Sequence, residues 1–183
     1  EYRIFTLGAG SNILLTDDKI HGAVIKLGKN FSNISLLSDE KIIAGSACTD
    51  KQVSDFAMEN NIGGLEFLSC IPGTIGGGLR MNSGCFGTEF KDILLSVQAL
   101  DKKGNMVTIP SNKINFGYRY SGLDRNLIFL SASLKGKHKA KNEIKEEIIF
   151  LRDKKSKSQP TQIKTGGSTF KNPINQTKEK VWE

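Results

Sequence analysis

The chain has 183 residues and a mass of 20.1 kDa, room for one large domain or a domain plus a fragment. Hydrophobic residues make up 38% and charged residues 25%, and every apolar run breaks within a few residues, so no segment reads as a membrane span. The net charge of +7 comes from residues 135–180, with 13 Lys/Arg against 5 Asp/Glu, whereas the first 134 residues carry 13 of each sign. Without aromatic interleaving or an arginine cluster, that surplus reads as a solvated lysine-rich surface and excludes a nucleic-acid groove.

Arg3 to Leu7 predicts a short strand that runs into Gly8-Ala9-Gly10-Ser11-Asn12. Further short strands are expected at Ala23–Leu27, Ile34–Leu37 and Lys41–Ala44. Thr49-Asp50-Lys51-Gln52 has the capping-box pattern, and Val53, Phe56, Ala57 and Asn60 continue one helical face until Gly63-Gly64 stops it. Between Gly63 and Gly87 lie 8 of the 19 glycines, a density that weakens any regular element and points to close backbone approach. Strands at Ile93–Leu100 and Met106–Ile109 flank Lys102-Lys103-Gly104-Asn105 as a hairpin, and another strand is expected at Leu127–Leu134. Ile144, Ile148 and Leu151 mark an amphipathic helix ending in the lysine run before Gln159-Pro160. Many short strands without βαβ alternation give an α+β class.

Several motifs compete for the chemistry. Gly8-Ala9-Gly10 after a strand suggests a Rossmann fingerprint, but Ile13 stands where the third glycine belongs, no helix follows, and no acidic ribose ligand appears. The loop still suits an anion, because bare N–H groups and a hydroxyl can converge on it. Ile71-Pro72-Gly73-Thr74-Ile75-Gly76-Gly77-Gly78 is a second such loop, without the terminal Gly-Lys-Ser/Thr of a nucleoside-triphosphate site. Two separated glycine loops fit a long cofactor such as a flavin dinucleotide. Ser168-x-x-Lys171 and Lys164-Thr165-Gly166 mimic a serine acyl-transfer set, but they are nearly contiguous and lack Ser-Asp-Asn, so the match reads as chance. Arg119, between Tyr118 and Tyr120, is either a cation packed on rings or one aimed at an anionic substrate. Cys48, Cys70 and Cys85 form no CxxC pair, and with only His21 and His138 available no metal site is expected. Reduced thiols suit the cytoplasm.

Together these segments resemble the UDP-N-acetylenolpyruvoylglucosamine reductase family, the flavoenzymes that complete UDP-N-acetylmuramate in peptidoglycan synthesis. The matching pieces, in family order, are Leu7 to Asn12, Glu66-Phe67-Leu68 into Ile71 to Gly77, Met81-Asn82, Phe116 to Arg119, Gln159-Pro160 and Gly167 to Pro173. The resemblance implies a vanillyl-alcohol-oxidase-type FAD-binding domain over residues 1–160 and the start of a substrate-binding domain over 161–183. It implies non-covalent FAD held by Gly8, Ala9, Gly10, Ser11, Asn12, Ile71, Pro72, Gly73, Thr74, Gly76, Gly77 and Gly84, with NADPH as reductant. Arg119 and Ser168 inherit catalytic roles, the first stabilising an enolate and the second donating a proton, while Tyr118 and Asn172 match substrate-handling positions. The expected partner is a UDP-sugar enolpyruvyl ether, bound by a monomer that takes neither nucleic acid nor membrane.

Two departures touch individual contacts. The family's Met-Asn-Ala-Gly-Ala-Tyr-Gly is here Met81-Asn82-Ser83-Gly84-Cys85-Phe86-Gly87, which loses a tyrosine hydroxyl, and Cys70 replaces a usual glycine. The resemblance also implies a segment ahead of Glu1 and a third catalytic residue, a glutamate, beyond Glu183, so a piece of a longer protein is expected. Two other readings stand beside this one: an FAD-linked oxidase of the same cofactor fold, and an inactive nucleotide-binding fragment.

Overall fold

The computed structural model describes residues 3–158. In chain order the strands and helices are β1 (Ile4–Thr6), β2 (Ala23–Ile25), β3 (Ile34–Ser38), β4 (Lys41–Gly45), α1 (Asp50–Glu59), β5 (Ile62–Gly63), α2 (Ile75–Arg80), β6 (Gly84–Cys85), β7 (Thr88–Glu89), α3 (Phe90–Ile93), β8 (Leu94–Leu100), β9 (Met106–Pro110), β10 (Ile128–Lys135), β11 (Lys137–His138) and α4 (Lys141–Ser158). A five-stranded antiparallel sheet in the order β3-β4-β10-β8-β9 carries the fold, and β1 pairs with β2 in a separate parallel ribbon. The class is α+β, as the pattern of short strands predicts.

The sheet's buried side chains follow from alternation, with bulges where alternation fails. Ile42 and Ala44 point inward from β4, and Val97 and Ala99 from β8. On β10 the inward residues Phe129 and Ala132 are three apart, and a register shift against β8 between Phe129 and Ser131 absorbs the extra residue. Ile75 and Leu79 of α2, Val53 and Ala57 of α1, Phe67 and Leu68 of the 3-10 turn at Glu66–Cys70, and Phe90 complete one continuous core. Each fully buried Leu, Ile or Phe contributes about 1.5–3 kcal/mol, so this layer dominates stability.

Most expected elements appear within a residue or two of their predicted bounds. The Thr49 capping box is present: Thr49 Oγ1 accepts from Gln52 N at 3.1 Å, and Gln52 Oε1 accepts from Thr49 N at 2.8 Å. The hairpin closes on Asp101, whose Oδ1 accepts from Lys103 N and Asn105 N at 2.8 and 2.9 Å. In α4, Ile144, Ile148 and Leu151 form the buried stripe.

Two expectations are corrected. Helix α1 stops at Glu59, short of Gly63-Gly64, because Asn60 Nδ2 donates back to Phe56 O at 2.8 Å and Asn61 turns to φ +57. Gly63 then pairs in β5 against Lys137. The glycine-dense stretch also forms a helix after all. Thr74 caps α2 by accepting from Gly77 N at 3.4 Å, and a Cβ on Gly78 would lie 2.3 Å from the Phe90 ring. The glycines lower helix propensity, but they let α2 sit directly on the core, and packing outweighs propensity here.

Candidate cofactor and substrate site

The two glycine loops, more than sixty residues apart in sequence, face one another. A Cβ on Gly8 would stand 2.7 Å from Thr74 Oγ1. One on Gly73 would stand 3.7 Å from Ser11 Oγ and 2.9 Å from Asp50 Oδ2. Gly10 adopts φ +81, a backbone angle that favours glycine. Among the described residues, the backbone N–H groups of Gly8 to Asn12, Gly73 and Thr74 meet no acceptor, so they are available to a ligand. The N–H groups of Ile75, Gly76 and Gly77 are already engaged, by Cys48 O at 2.9 Å, Ser46 O at 3.0 Å and Thr74 Oγ1. Gly76 lets the backbone approach Ser46, where a Cβ would stand 3.0 Å from Ser46 Cβ, whereas a Cβ on Gly77 would meet only Thr74 Oγ1 at 3.5 Å.

Helix α2 leads from this junction to a second feature. Its six residues rise about 9 Å to Met81 and Asn82, beyond which lies an open cleft of about 420 Å³. Gly84 to Glu89, Lys91 and Asp92 form one lip, and Tyr118 and Arg119 the other. Sequence-expected residues thus converge here: Gly84 from the cofactor set, Tyr118 from the substrate set, and Arg119. Ser168 and Asn172 lie outside the described residues.

Arg119 stands at the tip of a tight turn. Gly117 N donates to Tyr120 O at 2.8 Å, and Tyr120 N returns to Gly117 O at 3.2 Å. The turn puts Arg119 at φ +55, a conformation that costs a non-glycine residue about 1–2 kcal/mol. Its guanidinium carbon lies 5.1 Å from the Tyr118 ring centroid, so Arg119 packs on a ring, and it also lines the cleft. A cation held in a strained backbone position beside a cleft makes Arg119 a candidate functional residue.

Three further residues were not singled out as functional by sequence reasoning. Asn82 is fully buried at φ +42 and bonded to both lips of the cleft. Its only signal is that Asn tolerates the left-handed region better than most residues. Arg80 closes α2 onto the loop before β10 by donating to Leu123 O, Asp124 O and Leu127 O at 3.2, 2.9 and 2.8 Å, over the Phe129 ring. Asp50 is fully buried beneath Gly73, with neither carboxyl oxygen bonded.

Burial pushes the Asp50 carboxyl up to about 7 from its ordinary 3.8. The folded chain thus holds this proton more tightly than the unfolded chain. Stability should therefore fall as pH rises from about 4 to about 7, by up to about 4 kcal/mol. Asp50→Asn removes the ionisation, so it should raise the melting temperature at about pH 8 and barely change it at about pH 4. Thermal melts across that range check the sign. A variant that tracks the parent protein at every pH contradicts it.

The sequence profile described as "FAD binding domain" matches residues 1–110. The chain belongs to the FAD-binding-domain family. The domain is 63% identical over 181 residues to the UDP-N-acetylenolpyruvoylglucosamine reductase of Pelagibacter ubique, covering 99% of this chain and 60% of that protein. A crystal structure of the corresponding reductase from Thermus caldophilus superposes with a TM-score of 0.86 at 31% identity, over 97% of this chain and 64% of that one. Quinoline 2-oxidoreductase from Pseudomonas putida shares the fold alone, with a TM-score of 0.57 at 13% identity over 73% of this chain and 52% of that one. The domain spans about three fifths of the length of the curated relatives it matches.

The residues present fit FAD. Two sets of free N–H groups meet at the Gly8 and Gly73 loops, in a cradle a Cβ on either glycine would crowd, as a dianionic pyrophosphate would require. Neither histidine lies in these loops, and burial, then the neighbouring Cys70, push the Cys85 thiol above its ordinary value. A protonated thiol is a poor nucleophile, so no flavin linkage is expected at Cys85. Denaturing the flavin-loaded protein should release all yellow colour into the filtrate. Colour retained on the polypeptide would contradict non-covalent binding.

Proposed function

We propose that this domain is the FAD-binding part of an NADPH-dependent reductase that converts UDP-N-acetylglucosamine enolpyruvate to UDP-N-acetylmuramate. The observation that carries the reading is 63% identity to a reductase of that name across 99% of the chain. Arg119 on the lip of an open cleft supports it. Residues 1–160 would form the cofactor domain and 161–183 the beginning of the substrate domain.

Bound FAD would supply two-electron hydride chemistry between NADPH and the enolpyruvyl methylene carbon. The Gly8 to Asn12 loop would hold the cofactor through its free N–H groups, joined by those of Gly73 and Thr74 in the Ile71 to Thr74 loop, with Gly76, Gly77 and Gly84 allowing close approach. Arg119 places its guanidinium against the substrate carboxylate, where negative charge grows as that carboxylate becomes conjugated to an enolate. Ser168 gives its proton to the adjacent carbon; a hydroxyl is a weak acid, but the enolate is a strong enough base to take the proton. Tyr118 and Asn172 orient the sugar nucleotide.

Three free cysteines support a reducing, cytoplasmic setting. Among the described residues no helix is long and apolar enough to cross a membrane. The full-length protein, given NADPH and the enolpyruvyl substrate, should form UDP-N-acetylmuramate with one NADPH consumed per product. NADPH oxidation without that product would overturn the reading.

A further inference from the structure

Asn82 joins the two lips of the cleft. Its Nδ2 donates to Gly117 O at 3.1 Å, the carbonyl that also closes the Gly117–Tyr120 turn, and to Glu89 Oε2 at 3.0 Å. Its Oδ1 accepts from Lys91 N at 3.0 Å, and Lys91 Nζ pairs with the same Glu89 oxygen at 2.9 Å. The side chain is 0% exposed, so these bonds form out of competition with water, and both amide hydrogens are in use. Asn82 follows the C-terminal end of α2, and its own φ of +42 aims the amide across the gap. The turn it holds keeps Arg119 in a backbone state that an unsupported arginine would leave.

From this geometry we propose that Asn82 is a positioning residue: by holding Gly117 O it fixes the direction in which Arg119 presents its guanidinium to the cleft. The proposal rests on the reading of Arg119 as the cation that meets substrate. Asn82 itself lies beneath the cleft surface, so it acts through Arg119 and the turn.

The test is a double-mutant cycle in the full-length flavin-loaded protein, with each half-reaction followed by rapid-mixing flavin absorbance. Asn82→Asp keeps the shape but loses both donors and sets a carboxylate beside Gly117 O and Glu89. Asn82→Gly removes the amide while suiting the left-handed backbone, so it serves where Asn82→Asp does not fold. Reoxidation by the enolpyruvyl substrate should slow about 10- to 100-fold, the effect of misplacing a catalytic group by about an ångström, with flavin reduction by NADPH within about twofold of the parent. In an Arg119→Gly background the Asn82 change should add nothing further. Losses that multiply in the double variant, equal slowing of both half-reactions, or no slowing at all would overturn the proposal. If Arg119→Gly alone leaves reoxidation intact, what fails is the reading of Arg119, a result distinguishable from the failure of Asn82's role.

Discussion

Arg119→Gly in the full-length protein is expected to slow flavin reoxidation by the enolpyruvyl substrate by about 10²–10³-fold, the usual cost of deleting one group that stabilises a developing oxyanion. Flavin reduction by NADPH should remain close to the parent rate, since it generates no enolate. The fold should survive. Arg119 occupies φ +55, where glycine is at ease, so the relief of strain offsets the lost ring contact and the freer unfolded chain. Melting temperature and the two half-reaction rates together check this. A large loss of stability with both rates reduced alike would instead make Arg119 a structural residue.

Ser168→Ala is expected to produce a similar split for a different reason. In the proposed reaction the first half-reaction would pass hydride from nicotinamide to flavin and protonate no carbon. The second would leave an enolate that must be quenched, so losing the proposed proton donor should slow it by at least about 10²-fold. If Ser168 has no part in the chemistry, alanine would slow both half-reactions through misfolding, or neither. Solvent deuterium adds a second readout: reoxidation of the parent should show an isotope effect that the alanine variant alters.

The sequence revealed local features and missed those that depend on remote segments. Thr49 and Gln52 announce a helix start because a capping box is written in four consecutive residues. Asp101 to Asn105 announce a hairpin for the same reason. Helix α2 was missed because its stability comes from Phe90 and the sheet, while its own Gly76-Gly77-Gly78 argues against it. The end of α1 was misplaced because Asn61, a non-glycine residue, takes the left-handed turn that Gly63-Gly64 seemed to offer.

At the site, the Gly8 to Asn12 loop was legible as a loop, but the Ile71 to Gly78 run is one only as far as Thr74, and the meeting at Gly8–Thr74 and Ser11–Gly73 is a tertiary fact. Asn82 drew notice only inside a longer matching motif. Its partners Gly117 and Glu89 lie 35 and 7 residues away, and nothing in the local pattern connects them. Asp50 stands in sequence only as part of the Thr49 to Gln52 capping pattern, and its burial under Gly73 is what makes its charge costly.

The central claim is that the glycine-loop cradle and the Arg119 cleft serve one two-step reduction. The most direct measurement is anaerobic rapid mixing of the full-length flavin-loaded protein, first with NADPH and then with either the enolpyruvyl substrate or oxygen. The expected result is full bleaching of the flavin by NADPH, followed by rapid recovery of colour with the substrate and slow recovery with oxygen. Fast recovery with oxygen and none with the enolpyruvyl ether would contradict the account and leave an oxidase on the same cofactor fold.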